Sequence, residues 1–123
     1  MISIGKLIYN TITNVPNLVG LAIYPIVAPE KTELPFIVFE RDSVNPLYTK
    51  DGLVGNETGV TIYVLSNDYT QSVDFADKVR LAFERKKISY SGITVNGCDL
   101  ISCDEAFNDY AYIQKLTFQF KTN

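Results

Sequence analysis

Asp104, Glu105 and Asp109 fall close together late in the chain. By spacing they are the carboxylates best placed to act as an acid–base pair or to hold a calcium ion. A calcium loop needs a glycine at its sharp turn and a bidentate glutamate six positions beyond it. Neither is present, and a solvated turn accounts for the cluster more simply. The sequence contains no histidine, so Ser–His or Cys–His activation of a nucleophile is excluded. A zinc site would need four Cys or carboxylate ligands, and no such spacing occurs. Gly52, Gly55 and Gly59 are too widely spaced for a phosphate-binding loop and lack its following Lys-Ser/Thr. Cys98 and Cys103 are five positions apart. On one strand an odd spacing points them to opposite faces, about 16 Å apart, beyond disulfide reach, which predicts two reduced, half-buried thiols. Arg80, Arg85, Lys86 and Lys87 form a basic run that could meet phosphate, but complementing the carbonyl end of a helix explains them more simply. No cofactor, metal or catalytic activity is expected.

The bulk properties narrow the classes further. The chain has 123 residues, 46% of them apolar and 20% charged, which suits one domain with a core of its own. A net charge of −3 gives no general basic field for a nucleic-acid backbone. No apolar run approaches the roughly 20 residues of a membrane helix, and the N-terminus lacks a secretory pattern. Eight Tyr and seven Phe, with no Trp, suit the half-buried faces of a sheet.

The elements that position these residues follow from periodicity. Ile4, Leu7, Ile8, Ile12 and Val15 recur at helical spacing behind Ser3, a candidate cap, and Pro16 ends the run. Strands are predicted at 22–28 and 35–42, with Pro35 opening the second and Pro25 and Pro29 marking an edge. In the second strand Phe36, Val38 and Glu40 share one face, and Ile37, Phe39 and Arg41 the other. A strand apolar on both faces is usually covered on both, here by a helix and by a neighbouring subunit. Residues 43–58, with Asn45, Pro46, Gly52, Gly55 and Asn56, read as a long open loop. A β-branched and aromatic run predicts a strand at 60–65. Asp68 with Gln71 resembles a capping box opening a second helix, whose buried side carries Val73, Ala76, Val79, Ala82 and Phe83, flanked by Phe75 and Leu81. Asn96-Gly97 predicts a hairpin turn between 93–95 and 98–100. Asn108-Asp109 makes a further turn, and a strand over 110–121 points Tyr112, Leu116, Phe118 and Phe120 inward. The whole is α+β: two helices on a mainly antiparallel sheet of five or six strands, in a single domain over residues 1–123.

This order of elements resembles the small tail-completion proteins of tailed bacteriophages, the tail-terminator or head–tail joining class. The resemblance runs from the first helix, ending near Leu18-Val19-Gly20, through Ile23-Tyr24-Pro25, Ala28-Pro29 and Leu34-Pro35-Phe36-Ile37-Val38-Phe39. It continues through a variable loop ending at Asp51-Gly52, the strand at 60–65 and the helix at 72–83. It is loosest in the final third. It implies a subunit without catalytic activity, belonging to a phage or prophage virion and made in the host cytoplasm. Such a subunit forms a ring, typically a hexamer, at the head-proximal end of the tail. The ring ends tail-tube polymerisation and meets the head connector, and nucleic acid only passes through it. The implied partners are further copies of the chain, the tail-tube protein and the head-connector protein, with no membrane. Candidate subunit or tube contacts are Tyr48, Lys50 and Asp51 of the loop and Ile37, Phe39 and Arg41 of the doubly apolar strand. A small cytoplasmic module that binds a ligand or peptide is the alternative, and weak nucleic-acid binding through the basic run a third reading.

Overall fold

The computed structural model describes residues 2–18 and 20–123; Val19, in the predicted exit from the first helix, lies outside them, as does Met1. Helix α1 (Ile4–Thr13) buries the predicted stripe of Ile4, Leu7, Ile8 and Ile12. Ser3 precedes it without a capping bond from its side chain to the helix. Its carbonyl accepts from the Lys6 N–H at 3.1 Å. Helix α2 (Tyr69–Phe83) starts at Asp68, whose carboxylate accepts from the Thr70 N–H at 3.2 Å. The reciprocal half of the expected capping box is relayed. The Asp68 N–H donates to Ser66 Oγ, which donates in turn to Gln71 Oε1. Ser72, Val79 and Phe83 are the buried residues of α2; Leu81, expected beside its apolar side, is 71% exposed.

Among the described residues six strands form one sheet: β1 (Ala22–Pro25), β2 (Phe36–Thr49), β3 (Gly52–Ser66), β4 (Ile88–Tyr90), β5 (Ile93–Asn108) and β6 (Ala111–Thr122). Their spatial order is β1-β2-β3-β6-β5-β4. Only β1 runs parallel to its neighbour; all other pairs are antiparallel. β1 stops at Pro25, short of the predicted 28, and covers only Phe36–Phe39 of β2. At the opposite edge β4 covers only Ile93–Val95 of β5.

One sheet face carries both helices. Ile37, Phe39, Val60, Ile62, Leu116, Phe118 and Phe120 share a core with the buried side of α1 and with Val79 and Phe83. The Phe83 ring lies 5.7 Å from each of Phe118 and Phe120. Burying side chains of this size contributes about 1.5–3 kcal/mol each, most of the driving force for docking the helices. The final strand alternates as expected, with Leu116, Phe118 and Phe120 inward.

Two readings of loops and turns are corrected. The segment 43–58 is no loop: it forms the distal halves of β2 and β3, paired out to Tyr48↔Leu53 and Thr49↔Gly52 with a register shift between Leu47 and Tyr48. Pro46 does not break it because β2 beyond β1 is an edge, where a missing N–H is tolerated. Asn96-Gly97 is no hairpin turn either. β5 runs straight through it and absorbs the extra residue as a bulge between Val95 and Gly97. The hairpin turns on either side of β5 lie at Ser91-Gly92 (φ 49° and 84°) and Asp109-Tyr110 (φ 50° and 63°). Positive φ at both central positions is the requirement that Asn96-Gly97 was expected to serve. Continuous pairing with β6 outweighed the local turn preference.

Candidate assembly surfaces

Beyond Asn56, the last β3 residue paired with β6, the β2–β3 hairpin continues as a two-stranded arm. Its tip exposes Leu47, Tyr48, Leu53 and Val54, with Tyr48 71% accessible. Lys50 and Asp51 form the exposed turn, where the Asp51 N–H donates to Thr49 Oγ1 at 3.2 Å. The arm leaves the sheet at Gly55, whose φ is +153° and where a Cβ would lie 2.8 Å from the Thr122 carbonyl oxygen. Only glycine lets the two backbones approach this closely.

The six sequence-derived contact residues therefore separate. Tyr48, Lys50 and Asp51 lie together at the arm tip. Arg41 is exposed on β2, and its guanidinium donates to the Ile2 carbonyl at 2.6 Å. Ile37 and Phe39, 0% and 7% exposed, are packed in the subunit's own core.

On the face of the sheet away from the helices, Phe36 and Val38 lie in an open apolar cleft with Tyr63, Leu65 and Ile113. The Tyr24 ring stands edge-on to Phe36 at 6.1 Å. Ile26 and Val27 border the cleft, both more than 70% exposed. Sequence reasoning placed this pair in a proline-marked edge strand over 22–28 without singling them out, whereas β1 ends at Pro25 and leaves both beyond it. It also missed Leu53 and Val54, hidden in a segment read as loop.

The groups singled out for chemistry are engaged structurally or dispersed. Glu105 accepts from the Tyr69 hydroxyl at 2.9 Å and from Gln114 at 3.1 Å, and that bond raises the Tyr69 pKa. Arg80 pairs with Glu84 one helical turn on, holding the Glu84 carboxyl below its usual range. Arg85 pairs with Asp99 at 3.2 Å. Half of the basic run is thus neutralised locally. Cys98 and Cys103 are both free thiols. A second bulge, between Leu100 and Ser102, places them on the same face, opposite Phe120 and Leu116 respectively. The expectation of opposite faces fails for that reason. Among the described residues no three His, Cys, Asp or Glu side chains gather as a metal site.

These features define a small α+β subunit whose single sheet carries an exposed, apolar-tipped arm. Residues 10–122 match the model of a family described as "Tail completion protein gp17". The chain belongs to this family and is a structural virion protein of tail completion and head–tail joining. No curated protein sequence matches it. Its fold is similar to a chain in the structure described as "Virion of native gene transfer agent (GTA) particle". The TM-score is 0.79 at 17% identity, over 94% of this chain and 90% of that one.

Proposed function

We propose that this chain closes into a ring, typically a hexamer, at the head-proximal end of the virion tail, where it ends tail-tube polymerisation and meets the head connector. The β2–β3 arm is the observation that carries this reading. Four exposed apolar side chains at the end of an ordered, two-stranded projection make a contact surface with no function inside the subunit. Tyr48, Lys50 and Asp51 contact a neighbouring subunit or the tube, and Arg41 lines the adjoining edge of β2. Ile37 and Phe39 support that edge from within the core. The subunit acts by occupying a position and presenting surfaces, without catalysis, and is made in the host cytoplasm before joining the tail.

Light scattering behind size-exclusion chromatography tests the ring on the intact chain and on a variant with the arm shortened by removing residues 47–54. The intact chain should reach a hexamer-sized mass as concentration rises. The shortened one should stay folded yet lose assembly, and phage carrying it should make tails of uncontrolled length. Unchanged self-association and normal tails in the shortened variant would remove the arm from this role.

A further inference from the structure

The β5–β6 turn is strained, aromatic and exposed all at once. Asp109 and Tyr110 both have positive φ, as a two-residue turn between Asn108 and Ala111 demands. Asp tolerates that geometry, but a bulky aromatic residue there is a conformational outlier. Tyr110 gains little from packing in return, since it is 87% exposed. Strain without an internal purpose points to a contact made elsewhere. Behind it Tyr112 packs between Phe107 (4.9 Å) and Tyr69 (5.5 Å), and both flanking rings are themselves exposed. Asp109 and Glu105 make this knob acidic.

A matching hollow lies beside α1. Lys6, Tyr9, Pro25, Phe39 and Tyr90 line an open, largely apolar cleft of about 650 Å³, within the size range of sites that take an aromatic group. Lys6 on its wall is a cation. Tyr90 pairs with Ile93 at the start of β5, whereas Tyr110 follows the end of the same 16-residue strand. Knob and cleft are thus separated by about 50 Å of strand and cannot meet within one subunit.

We propose that the Asp109–Tyr110 turn of one copy seats in the Lys6–Tyr9–Tyr90 cleft of the next, with Asp109 facing Lys6. The contact joins two unlike patches of the chain, a knob and a cleft, and such a contact can repeat head to tail around a ring. A rigid tyrosine entering a pocket is also the usual form of an interface anchor. This inference rests on the ring reading above.

The test compares the full chain with Tyr110→Gly and Lys6→Glu. Tyr110→Gly relieves the positive-φ strain, so its unfolding temperature should rise while the concentration for half-assembly increases at least tenfold. Lys6→Glu should weaken assembly to a similar extent without that rise. Each variant keeps one intact half of the contact, so mixing them should recover dimers but no larger species. Unaltered assembly of Tyr110→Gly would overturn the contact while leaving the ring standing. Loss of tail-tube or connector binding by Tyr110→Gly, with self-association intact, would overturn it in favour of a different occupant. A wild-type chain that stays monomeric at every concentration would remove both the contact and self-assembly into a ring.

Discussion

Cys98 and Cys103 sit five positions apart on β5 and face the same side of the sheet, because the bulge between Leu100 and Ser102 absorbs one residue between them. One thiol is buried against Phe120's strand position and the other is exposed near the end of the same face. A single inserted residue thereby converts a predicted opposition into a shared face.

Their reactivities should differ sharply. Burial pushes the Cys98 thiol up to about 12, with Asp99 and Glu84 adding to it, so almost none of it is thiolate near pH 8. Cys103 is raised too, chiefly by burial, but Arg80 opposes the shift. A thiol reagent at pH 8 should label one site per native chain, mapping to Cys103, and a second only after unfolding. Two sites labelled at similar rates in the native protein would contradict this placement.

Cys98 also predicts an alkaline limit. An unfolded thiol titrates near pH 8.5. Above that pH the unfolded chain releases a proton that the folded chain still holds, so stability falls as pH rises, until the folded thiol titrates near 12. The slope from this one group is about 1.4 kcal/mol per pH unit. Cys98→Ala should start less stable at pH 7 and lose less between pH 9 and 11, read by urea denaturation at each pH. Parallel curves for the two proteins would refute the assignment.

Core and surface of α2 should separate cleanly. Phe83 is fully buried between Phe118 and Phe120, and Phe83→Ala should cost about 3–5 kcal/mol. Leu81 is apolar and two positions away, yet exposed, so Leu81→Ala should change stability by no more than about 0.5 kcal/mol. Chemical denaturation would show comparable losses if the helix were rotated from the orientation described.

Two glycines test the corrected topology. At Gly55 a Cβ meets the Thr122 carbonyl oxygen at 2.8 Å with φ at +153°, so Gly55→Ala should destabilise by more than about 1 kcal/mol. At Gly97 a Cβ meets nothing within 4 Å, and the backbone is not left-handed. Gly97→Ala should therefore be neutral or gain up to about 1 kcal/mol. A large loss at Gly97 would restore the Asn96-Gly97 turn that the strand replaces.

Much of the architecture was legible because it rests on local periodicity. The α1 stripe, the 60–65 strand and the alternation of Leu116, Phe118 and Phe120 each declare a buried face within a few residues. What was not legible depends on partners distant in sequence. Pro46 and Gly55 look like breakers until one knows that β2 is an edge and that Thr122 crowds the chain at Gly55. Asn96-Gly97 lost to Ser91-Gly92 because β6 pairs with β5 along nearly its whole length. The arm tip was half visible: Tyr48, Lys50 and Asp51 were picked out, while Leu53 and Val54 were passed over as loop residues. Nothing in periodicity marks Tyr110, whose oddity appears only as a backbone angle.

The short outer strands bear on how such a protein survives being made in quantity. β1 and β4 each fence part of a sheet edge, Pro46 interrupts what β2 leaves bare, and both long outer strands carry bulges. These features discourage backbone-to-backbone pairing with other copies. In the proposed ring, contacts would then fall to side chains on turns and tips, whose number is finite and whose geometry is fixed. A subunit fenced in this way resists growing into an open-ended fibril of backbone-paired copies.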